Sequence, residues 1–473
     1  MCLDFARHKR LWTEPMTPLW TSAEIVDATG GTASATFDVT GVTFDSREVE
    51  PGWLFVAMPG TLADGHDFVV GAFERGAAAA IVARPVDGPH VLVRDVVEAL
   101  DGLARAARSR MRGTVFGVTG SVGKTGTKEA LALALARRHP DRVHRSLKSY
   151  NNHTGVPLSL ARMPRDTVHA VFEMGMNHAG EIRALSALVR PHVALITALA
   201  PAHIENLGSM EAIADAKAEI FEGLEPGGTA IIPAETPYRD RLLKAARRHA
   251  ENIVSFGTKD AEVSAVHAVR SDGGGSLVTA RLGTANLTFT IAQPGDHWVS
   301  NSLAVLAAVE AAGADLAAAG LALGDMRGLK GRGARHRIAV SGGTVLLIDE
   351  SYNANPASMA ATLRNLAAEP VGGRRLAVLG TMREMGEHGA AAHAALAEPV
   401  LAAKVDLLVL IGEEMEPLER ALAGQIAVTR VADAAAACLA LTAMWGPGDA
   451  VLVKASNGVG LAALIEAVAG GSA

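Results

Sequence analysis

The chain is poor in the residues that mark several common protein classes. Of its 473 residues only two are cysteines, Cys2 and Cys438, and they lie far apart. This spacing argues against a disulfide framework or a zinc site, so we expect a protein of the reducing cytoplasm. No apolar run is long enough to span a membrane. The formal net charge of −6 argues against nucleic-acid binding as the main task.

The residues that are present predict three domains. Hydrophobic residues make up 49% of the chain, which supplies enough apolar material for several cores. The length fits three domains of about 150 residues each. Short strand signals and turns fill residues 16–110, whereas strands alternate with helices in 111–338 and again in 339–473. The Gly/Arg-rich stretch 326–338 is typical of a linker or hinge.

Alternation of strands with helices predicts an α/β fold with parallel, doubly wound sheets. In the last domain the strand candidates are TVLLID (344–349), RLAVLG (375–380), DLLVLIG (406–412) and AVLVKA (450–455). The sequence GVGLAA (458–463) imitates a dinucleotide-binding fingerprint. Only ten residues follow it, too few for the second strand and the acidic residue that the fingerprint requires. We interpret it as a tight turn between a strand and a helix.

Residues 114–127, TVFGVTGSVGKTGT, have the pattern of a phosphate-binding loop. An apolar strand leads into a glycine-rich turn, and a helix begins at Lys124 and Thr125. Glycines let backbone N–H groups crowd around phosphate oxygens, and the helix N-terminus adds partial positive charge. The lysine would bind the terminal phosphates of ATP or GTP, and the threonine hydroxyl would bind Mg²⁺. The residues expected at the nucleotide are Gly120, Ser121, Val122, Gly123, Lys124, Thr125 and Gly126.

One feature of this loop leaves room for another interpretation. Val118 stands where the common pattern has glycine, so the match is to the tighter TGxxGKT form. The alternative is an ordinary strand, turn and helix with an unrelated lysine. The register of strand, turn, Lys-Thr and helix favours the phosphate loop.

Polar residues also end two further strands of the central domain. Glu173 ends HAVFEMG, and His203 follows HVALITAL. Parallel sheets bind ligands at the carboxyl ends of their strands, so Thr125, Glu173 and His203 could share one site. A hydroxyl, a carboxylate and an imidazole would suit Mg²⁺ held against phosphates. Taken singly, the glutamate could be a solvated acid and the histidine a packed loop residue.

Lys217 lies on the apolar face of a predicted helix. The segment 209–224 has Ser209 as its N-cap, and the lysine falls in register with Ile213 and Phe221. A buried ammonium is unfavourable unless it is paired or neutralised. The alternative is a buried stem that carries its charged end to solvent.

These segments resemble the Mur ligases, ATP-dependent cytoplasmic enzymes that build the peptide stem of peptidoglycan. The similarity runs from about Leu19 to the C-terminus and includes FDSREVEPGWLFVAMPG, PAHIENLGSMEAIADAKAEIF and LGTMREMGEHG. The phosphate loop is common to the family. NNHTGVPL, EMGMNHAGEI and DESYNANP are typical of the branch that joins D-alanyl-D-alanine to UDP-N-acetylmuramoyl-tripeptide. The branch that adds the third amino acid has a DNPR-like motif, which the chain lacks.

The resemblance implies a three-domain fold, in which a central P-loop domain precedes a Rossmann-like domain. It also implies that ATP phosphorylates the tripeptide carboxylate and that the amine of the dipeptide attacks the acyl phosphate. Thr125 and Glu173 would bind a first Mg²⁺. Glu173, His203 and a carbamylated Lys217 would bind a second, because carbamylation converts a buried cation into an oxygen ligand. Lys124, His203 and Lys217 are then the residues expected to serve catalysis.

The resemblance assigns further residues to the two substrates and the nucleotide. Asn301 would contact adenine, and Arg335 and Asp349 would close over the nucleotide, with Arg337 as the competing arginine. The residues expected at the UDP-tripeptide are Ser46, Arg47, Asp64, Gly65, His66, Asn151 and Asn152. Tyr352 and Asn353 would lie near the incoming dipeptide or the nucleotide.

Two other classes of function stay open. One is another amide ligase of the same architecture. The lack of a DNPR-like motif argues against a tripeptide-forming enzyme, and the UDP-type N-terminal segment argues against a folylpolyglutamate- or cyanophycin-type enzyme. The other is a non-catalytic nucleotide-binding scaffold, against which the intact Lys124, Glu173, His203 and Lys217 argue. We expect a monomer without nucleic-acid partners.

Residues 1–15 precede LWTSAEIVDATGG, which resembles the usual opening of such a ligase, and Met16 stands just ahead of that segment. We therefore expect 1–15 to be a disordered extension or the product of an upstream start codon. Deleting these residues should leave ligase activity and melting temperature unchanged. A clear loss of either would show that the segment belongs to the fold.

Overall fold

The computed structural model describes residues 17–60, 63–201, 204–271 and 274–470. The chain divides into two compact units. The first comprises the chain up to Arg110 together with Leu160–Arg165, and the second comprises Met111–Ser159 and Asp166–Ala473. The expected extension 1–15 lies outside the described residues and stays a prediction.

The first unit is built on a mostly parallel sheet. Its strands are β1 (Trp20–Thr21), β2 (Thr32–Ala33), β3 (Asp38–Val39), β4 (Gly41–Thr43), β5 (Trp53–Val56), β6 (Ala79–Val82) and β7 (His90–Leu92), and its helices are α1 (Ser22–Thr29), α2 (Val69–Glu74) and α3 (Val96–Arg110). The sheet has the order β2-β7-β6-β5-β4, and β1 pairs separately with β3. Phe55, Ala80 and Val69 meet in the core between this sheet and α2.

The second unit begins with a large sheet that carries the phosphate loop. Its strands are β8 (Thr114–Thr119), β9 (Val143–Arg145), β10 (His169–Glu173), β11 (Val193–Ile196), β12 (Thr229–Pro233), β13 (Asn252–Gly257), β14 (Val263–Arg270), β15 (Ser276–Leu282) and β16 (Ala285–Ile291). Its helices are α4 (Lys124–Ala136), α5 (Gly155–Ala161), α6 (Glu181–Val189), α7 (Ile204–Leu207), α8 (Met210–Ala218), α9 (Arg239–Ala246), α10 (Asp296–Ala311) and α11 (Leu316–Asp325).

This sheet is parallel in its centre and antiparallel at one end. Within the described part of the chain its order is β16-β15-β14-β13-β12-β11-β8-β10-β9. The antiparallel ladder β14–β15–β16 is a feature that the predicted alternation of strands and helices missed. Burial alternates along β15, where Val278 and Ala280 are buried while Leu277 and Arg281 on either side of them are exposed. A turn at Gly283 (φ +54°) joins the last two strands.

A second sheet completes this unit. It contains β17 (Ala334–Val340), β18 (Gly343–Glu350), β19 (Arg375–Gly380), β20 (Leu407–Ile411), β21 (Ala427–Val431) and β22 (Ala450–Lys454). The helices around it are α12 (Pro356–Ala368), α13 (Gly389–Ala394), α14 (Ala397–Ala402), α15 (Glu416–Ala421), α16 (Ala434–Met444) and α17 (Leu461–Ala469). The strand order is β17-β18-β22-β19-β20-β21, and apolar cores lie on both faces.

Part of the expected hinge 326–338 belongs to this second sheet. Residues from Ala334 onward form β17, which pairs antiparallel with β18. Burial alternates along this strand, with Ile338 buried and Ala339 exposed, because successive side chains point to opposite faces of the sheet. The turn at GVGLAA connects β22 to α17, as the sequence predicts. The α/β prediction is confirmed, whereas the exact domain boundaries stay predictions.

The candidate site is brought together by β8, β10 and β11, three parallel strands of the sheet that carries the phosphate loop. In the register of the ladder, Glu173 on β10 lies opposite Val118 on β8, and Ile196 on β11 lies opposite Thr119. The segments that follow these strands therefore leave the sheet side by side at its carboxyl edge. Among the residues described, no helix has both the length and the apolar character needed to cross a membrane.

Candidate active site

The loop between β8 and α4 has a backbone that only glycine accommodates at two positions. Gly120 has φ +147°, and an added Cβ would lie 2.0 Å from Thr197 Oγ1. Gly123 has φ +85°, and an added Cβ would lie 2.9 Å from Asn301 Oδ1. Gly123 is also the N-cap of α4 and brings no side chain to that helix end. The first N–H groups of the helix are thus open to an anion.

Polar groups of the loop are suited to phosphate oxygens. Ser121 Oγ is buried and has no hydrogen-bond partner within the described ranges, a state that a buried hydroxyl tolerates only at a cost. Lys124 Nζ donates to the loop's own carbonyls, 2.8 Å to Gly120 O and 3.4 Å to Ser121 O. Burial lowers the pKa of Lys124, and the negative charge of Glu173 offsets part of this lowering. An added phosphate would supply partners to the hydroxyl and a counter-charge to the lysine.

Thr125 and Glu173 form the centre of the candidate metal site. Thr125 Oγ1 donates to Glu173 Oε2 at 2.8 Å, and Asn151 Nδ2 donates to Glu173 Oε1 at 2.8 Å. Glu173 is 1% exposed. Hydroxyl and carboxylate oxygens suit Mg²⁺, which takes its remaining ligands from water and substrate phosphates. No group of three or more His, Cys, Asp or Glu side chains that could hold a metal ion occurs in the described residues.

His203 lies outside the described residues, so its expected convergence with Thr125 and Glu173 stays a prediction. The structure describes the chain up to Pro201 and again from Ile204, where α7 begins. The preceding strand β11 ends next to β8, the strand that leads to the phosphate loop. The segment that leaves β11, up to Pro201, therefore starts at the carboxyl edge of the sheet.

Lys217 is buried on α8, as its place on the apolar face predicts. Ser209 caps this helix by accepting a hydrogen bond from the Ala212 N–H. Lys217 is 1% exposed, which is too little for a side chain that carries its charge to solvent. Burial, and then the charge of Lys124, hold the pKa of Lys217 well below its ordinary value. Nearby carboxylates act in the opposite direction: Glu173, Glu181 and Glu219.

A cavity of about 690 Å³ in the second unit collects most of the predicted nucleotide and peptide residues. The predicted residues that line it are Ser121, Val122, Gly123, Lys124, Thr125, Gly126, Asn151, Asn152, Glu173, Asn301, Tyr352 and Asn353. Gly126 packs below Trp298, and an added Cβ would lie 3.0 Å from that ring. The cavity thus joins the phosphate loop to the segment that follows β18.

The expected closing residues Arg335 and Asp349 are not among the residues that line this cavity. Arg335 forms an ion pair with Glu369. Asp349 is 1% exposed and accepts hydrogen bonds from the N–H groups of Gly331 and Ser351. The competing Arg337 is also absent from the lining residues. In this structure Asp349 therefore fixes the turn before β17.

Arg332 is the arginine of this segment that reaches the cavity, and the sequence analysis missed it. Its guanidinium lies 4.3 Å from the centre of the Tyr352 ring, a cation–π arrangement. Gly331, with φ +73°, packs against the same tyrosine. The signal in the sequence was the pair of glycines around Arg332, which mark a tight turn that exposes the side chain between them.

Lys454 and Glu350 form a second group that sequence reasoning missed. They are neighbours at the carboxyl ends of β22 and β18. Lys454 Nζ lies 3.6 Å from Glu350 Oε2 and donates to Asn353 O at 2.8 Å. Burial lowers the pKa of the lysine and raises that of the glutamate. In the sequence, each is a charged residue at the end of a largely apolar strand, a pattern that could have indicated a ligand site.

His297 also lines the cavity, and its ring lies beside that of Trp298, the residue that packs against Gly126 of the loop. Burial, together with the nearby Lys454, lowers the pKa of His297 to about 4. The imidazole is therefore neutral at pH 7 and can accept as well as donate a hydrogen bond. The sequence analysis did not single out this residue.

The predicted uridine-diphosphate residues lie in the first unit. Ser46 and Arg47 follow β4, and Asp64, Gly65 and His66 follow β5, so both segments leave one edge of the sheet. Arg47 forms a two-pronged ion pair with Asp45.

His66 is held by its neighbours in this unit. Its Nε2 accepts from the Ala83 N–H at 2.8 Å, so its Nδ1 carries the proton and donates to Asp64 at 2.7 Å. An added Cβ on Gly65 would lie 2.5 Å from Met58 O. The histidine and the glycine thus shape the loop in this structure, and their substrate contacts stay predictions.

Comparison with known proteins finds similarity along most of the chain. Three family models match it: "Mur ligase family, catalytic domain" at residues 38–108, "Mur ligase middle domain" at 118–309 and "Mur ligase, glutamate ligase domain" at 335–457. A UDP-N-acetylmuramoyl-tripeptide–D-alanyl-D-alanine ligase from Synechocystis is 34% identical over 435 residues, which cover 90% of this chain and 91% of the relative.

Two solved structures are also similar. A crystal structure of MurF from Acinetobacter baumannii has a TM-score of 0.81 at 29% identity, covering 95% of this chain and 99% of that one. MurF from Thermotoga maritima, in complex with ADP, has a TM-score of 0.75 at 28% identity, covering 90% of this chain and 96% of that one.

Proposed function

The chain belongs to the Mur ligase family, and we propose that it joins D-alanyl-D-alanine to UDP-N-acetylmuramoyl-tripeptide while cleaving ATP to ADP and phosphate. The observation that carries this proposal is the cavity in which the phosphate loop, the Thr125–Glu173 pair and Asn151 meet. The relative from Synechocystis, similar over nearly the full length, bears the name of this activity. The reaction would complete the peptide stem of a cell-wall precursor.

The reaction would proceed in two transfers. The terminal carboxylate of the tripeptide attacks the γ-phosphorus of ATP, which forms an acyl phosphate and releases ADP. The dipeptide amine then attacks the acyl carbon, loses a proton and expels phosphate through a tetrahedral intermediate. Lys124 would turn from the loop carbonyls to the phosphoryl oxygens, where its charge counts most in the transition state. Asn151 and Asn152 would orient the tripeptide end.

Magnesium at this site would neutralise the charge that develops on the transferring phosphoryl group. Thr125 and Glu173 fit a first ion, because their oxygens already lie together in the cavity. Glu173, His203 and a carbamylated Lys217 would hold a second. The lowered pKa of Lys217 favours the neutral amine that carbon dioxide requires.

We propose that the protein works as a monomer in the cytoplasm. The UDP moiety would bind at the edge of the first unit's sheet that carries Ser46 and His66. Tyr352, Asn353 and Arg332, which also line the cavity, would meet the incoming dipeptide or the nucleotide.

The test of this function is phosphate release from ATP. We expect rapid release only when UDP-N-acetylmuramoyl-tripeptide and D-alanyl-D-alanine are both present. In a control reaction, the UDP-dipeptide with lysine or diaminopimelate should give only background release. Turnover in that control would identify a tripeptide-forming enzyme, and ATP binding without turnover on any acceptor would identify a scaffold.

A further inference from the structure

We propose that Lys128, a fully buried lysine one turn beyond the phosphate loop, is a positioning residue that weakens Mg²⁺ binding at Glu173 and holds the asparagine segment against α4. The inference rests on the proposed Mg²⁺–nucleotide site and adds to it a fixed protein cation. The sequence analysis gave Lys128 no role.

The ammonium of Lys128 is enclosed by oxygen atoms. It is 0% exposed. Its Nζ donates to Ser146 O at 2.7 Å and to Lys148 O at 2.8 Å. It also lies 3.0 Å from Glu129 Oε1 and 4.0 Å from Glu173 Oε2. An ammonium has three donors, and the two carbonyls with one carboxylate account for them.

These contacts tie the phosphate-loop helix to the segment that carries Asn151 and Asn152. Lys148 has φ +50°, a conformation that residues other than glycine seldom adopt. In this conformation the Lys148 carbonyl accepts a hydrogen bond from the Lys128 ammonium. Ser146 Oγ in turn accepts a hydrogen bond from the Glu173 N–H. Lys128 therefore acts together with the direct Asn151–Glu173 hydrogen bond in holding the asparagine segment near the carboxylate.

The ammonium of Lys128 also partly neutralises the negative charge of Glu173. A cation 4.0 Å from a carboxylate oxygen lowers the negative potential that attracts Mg²⁺. Burial keeps solvent from screening this interaction. Glu129 acts in the opposite sense, because its carboxylate, which also pairs with Arg145, lies 3.0 Å from the ammonium and compensates its charge. Substitutions at the two positions should therefore change Mg²⁺ affinity in opposite directions.

The experiment is a calorimetric titration of Mg²⁺ into protein with a fixed excess of ADP. Lys128→Met removes the charge and keeps the shape, so we expect Mg²⁺ to bind roughly three- to tenfold more tightly. Glu129→Gln should weaken Mg²⁺ binding by roughly two- to threefold. Lys244→Met, an exposed lysine on α9, serves as the control and should match the unmodified protein. Loosening of the asparagine segment should also raise the KM for the UDP-tripeptide in Lys128→Met.

General damage to the fold would weaken Mg²⁺ binding in both variants, so tighter binding in Lys128→Met distinguishes the proposal from a merely structural role. Unchanged or weaker binding in folded Lys128→Met would overturn it. If that variant does not fold, unchanged or tighter Mg²⁺ binding in Glu129→Gln overturns the proposal, and weaker binding in a Glu129→Gln protein of unchanged melting temperature supports it. Absence of any Mg²⁺-dependent ADP binding in the unmodified protein would instead count against the proposed function.

Discussion

Replacing Lys124 by alanine is expected to abolish ligation while leaving the fold intact. Lys124 Nζ donates its hydrogen bonds to carbonyls of its own loop within the described part of the chain, so its removal costs little packing. Its charge acts most strongly on the phosphoryl group in flight, so the loss should fall on kcat. We expect phosphate release with both substrates to drop by roughly a thousandfold, the scale of a lost cation in phosphoryl transfer.

The matched control for this variant is Lys244→Ala, which removes an exposed lysine from α9 and should keep normal turnover. Circular dichroism and the melting temperature establish that both variants are folded. Near-normal turnover in folded Lys124→Ala would show that the cavity is not the site of ATP cleavage.

The parts of the site that could be predicted from the sequence are those in which local pattern and topology coincide. Thr125 opens a helix after a glycine turn, and Glu173 ends a neighbouring apolar strand. Because parallel strands share one carboxyl edge, the sequence predicts their contact, and the structure has a hydrogen bond of 2.8 Å between them. The burial of Lys217 followed similarly, from helical periodicity around a recognisable N-cap at Ser209.

Residues whose roles depend on long-range packing could not be predicted in this way. Arg332, Arg335 and Arg337 all occupy one Gly/Arg-rich stretch, and which of them faces the cavity depends on the start of β17. That start is set by pairing with β18, a contact that local sequence does not encode. Lys128 looked like an ordinary helix lysine, since the carbonyls that bind it come from residues 146 and 148.

The antiparallel ladder β14–β16 was missed for a related reason. Strand–helix alternation was extended over residues in which strands follow one another through tight turns. Val269 and Leu277, cross-strand neighbours on exposed positions, blur the alternation of apolar and polar residues that would have marked these strands. The error lay far from the carboxyl edge of β8 and β10, so the candidate site was unaffected.

Lys217 is the residue for which the proposed chemistry makes the strongest demand. Burial lowers its pKa, so a larger fraction of the amine is neutral at pH 7 than in a solvated lysine, and that fraction rises with pH. Carbon dioxide adds to the neutral amine and gives an anionic carbamate, with loss of one proton. A carbamate presents oxygen, the ligand that Mg²⁺ prefers. The carboxylates Glu173, Glu181 and Glu219 lie near enough to oppose part of this lowering of the pKa.

Lys217→Ala should therefore lose most of the ligase activity, by roughly a hundredfold or more, since one oxygen ligand of a catalytic metal is removed. Small carboxylates should enter the gap and supply the missing oxygens, so acetate or formate should restore part of the activity. Phosphate release measured against increasing acetate gives the result directly. The rescue should saturate, because the carboxylate binds at a defined site.

Lys217→Arg is the matched control, since a guanidinium fills the space, keeps its charge and does not form a carbamate. Acetate should leave this variant inactive, which separates rescue at the site from a general effect of the salt. A metal-bound crystal structure offers an independent measurement, in which extra density at Nζ should contact the ion. A fully active alanine variant, or an ordered and unmodified Lys217 in that structure, would show that the metal is held without a carbamate.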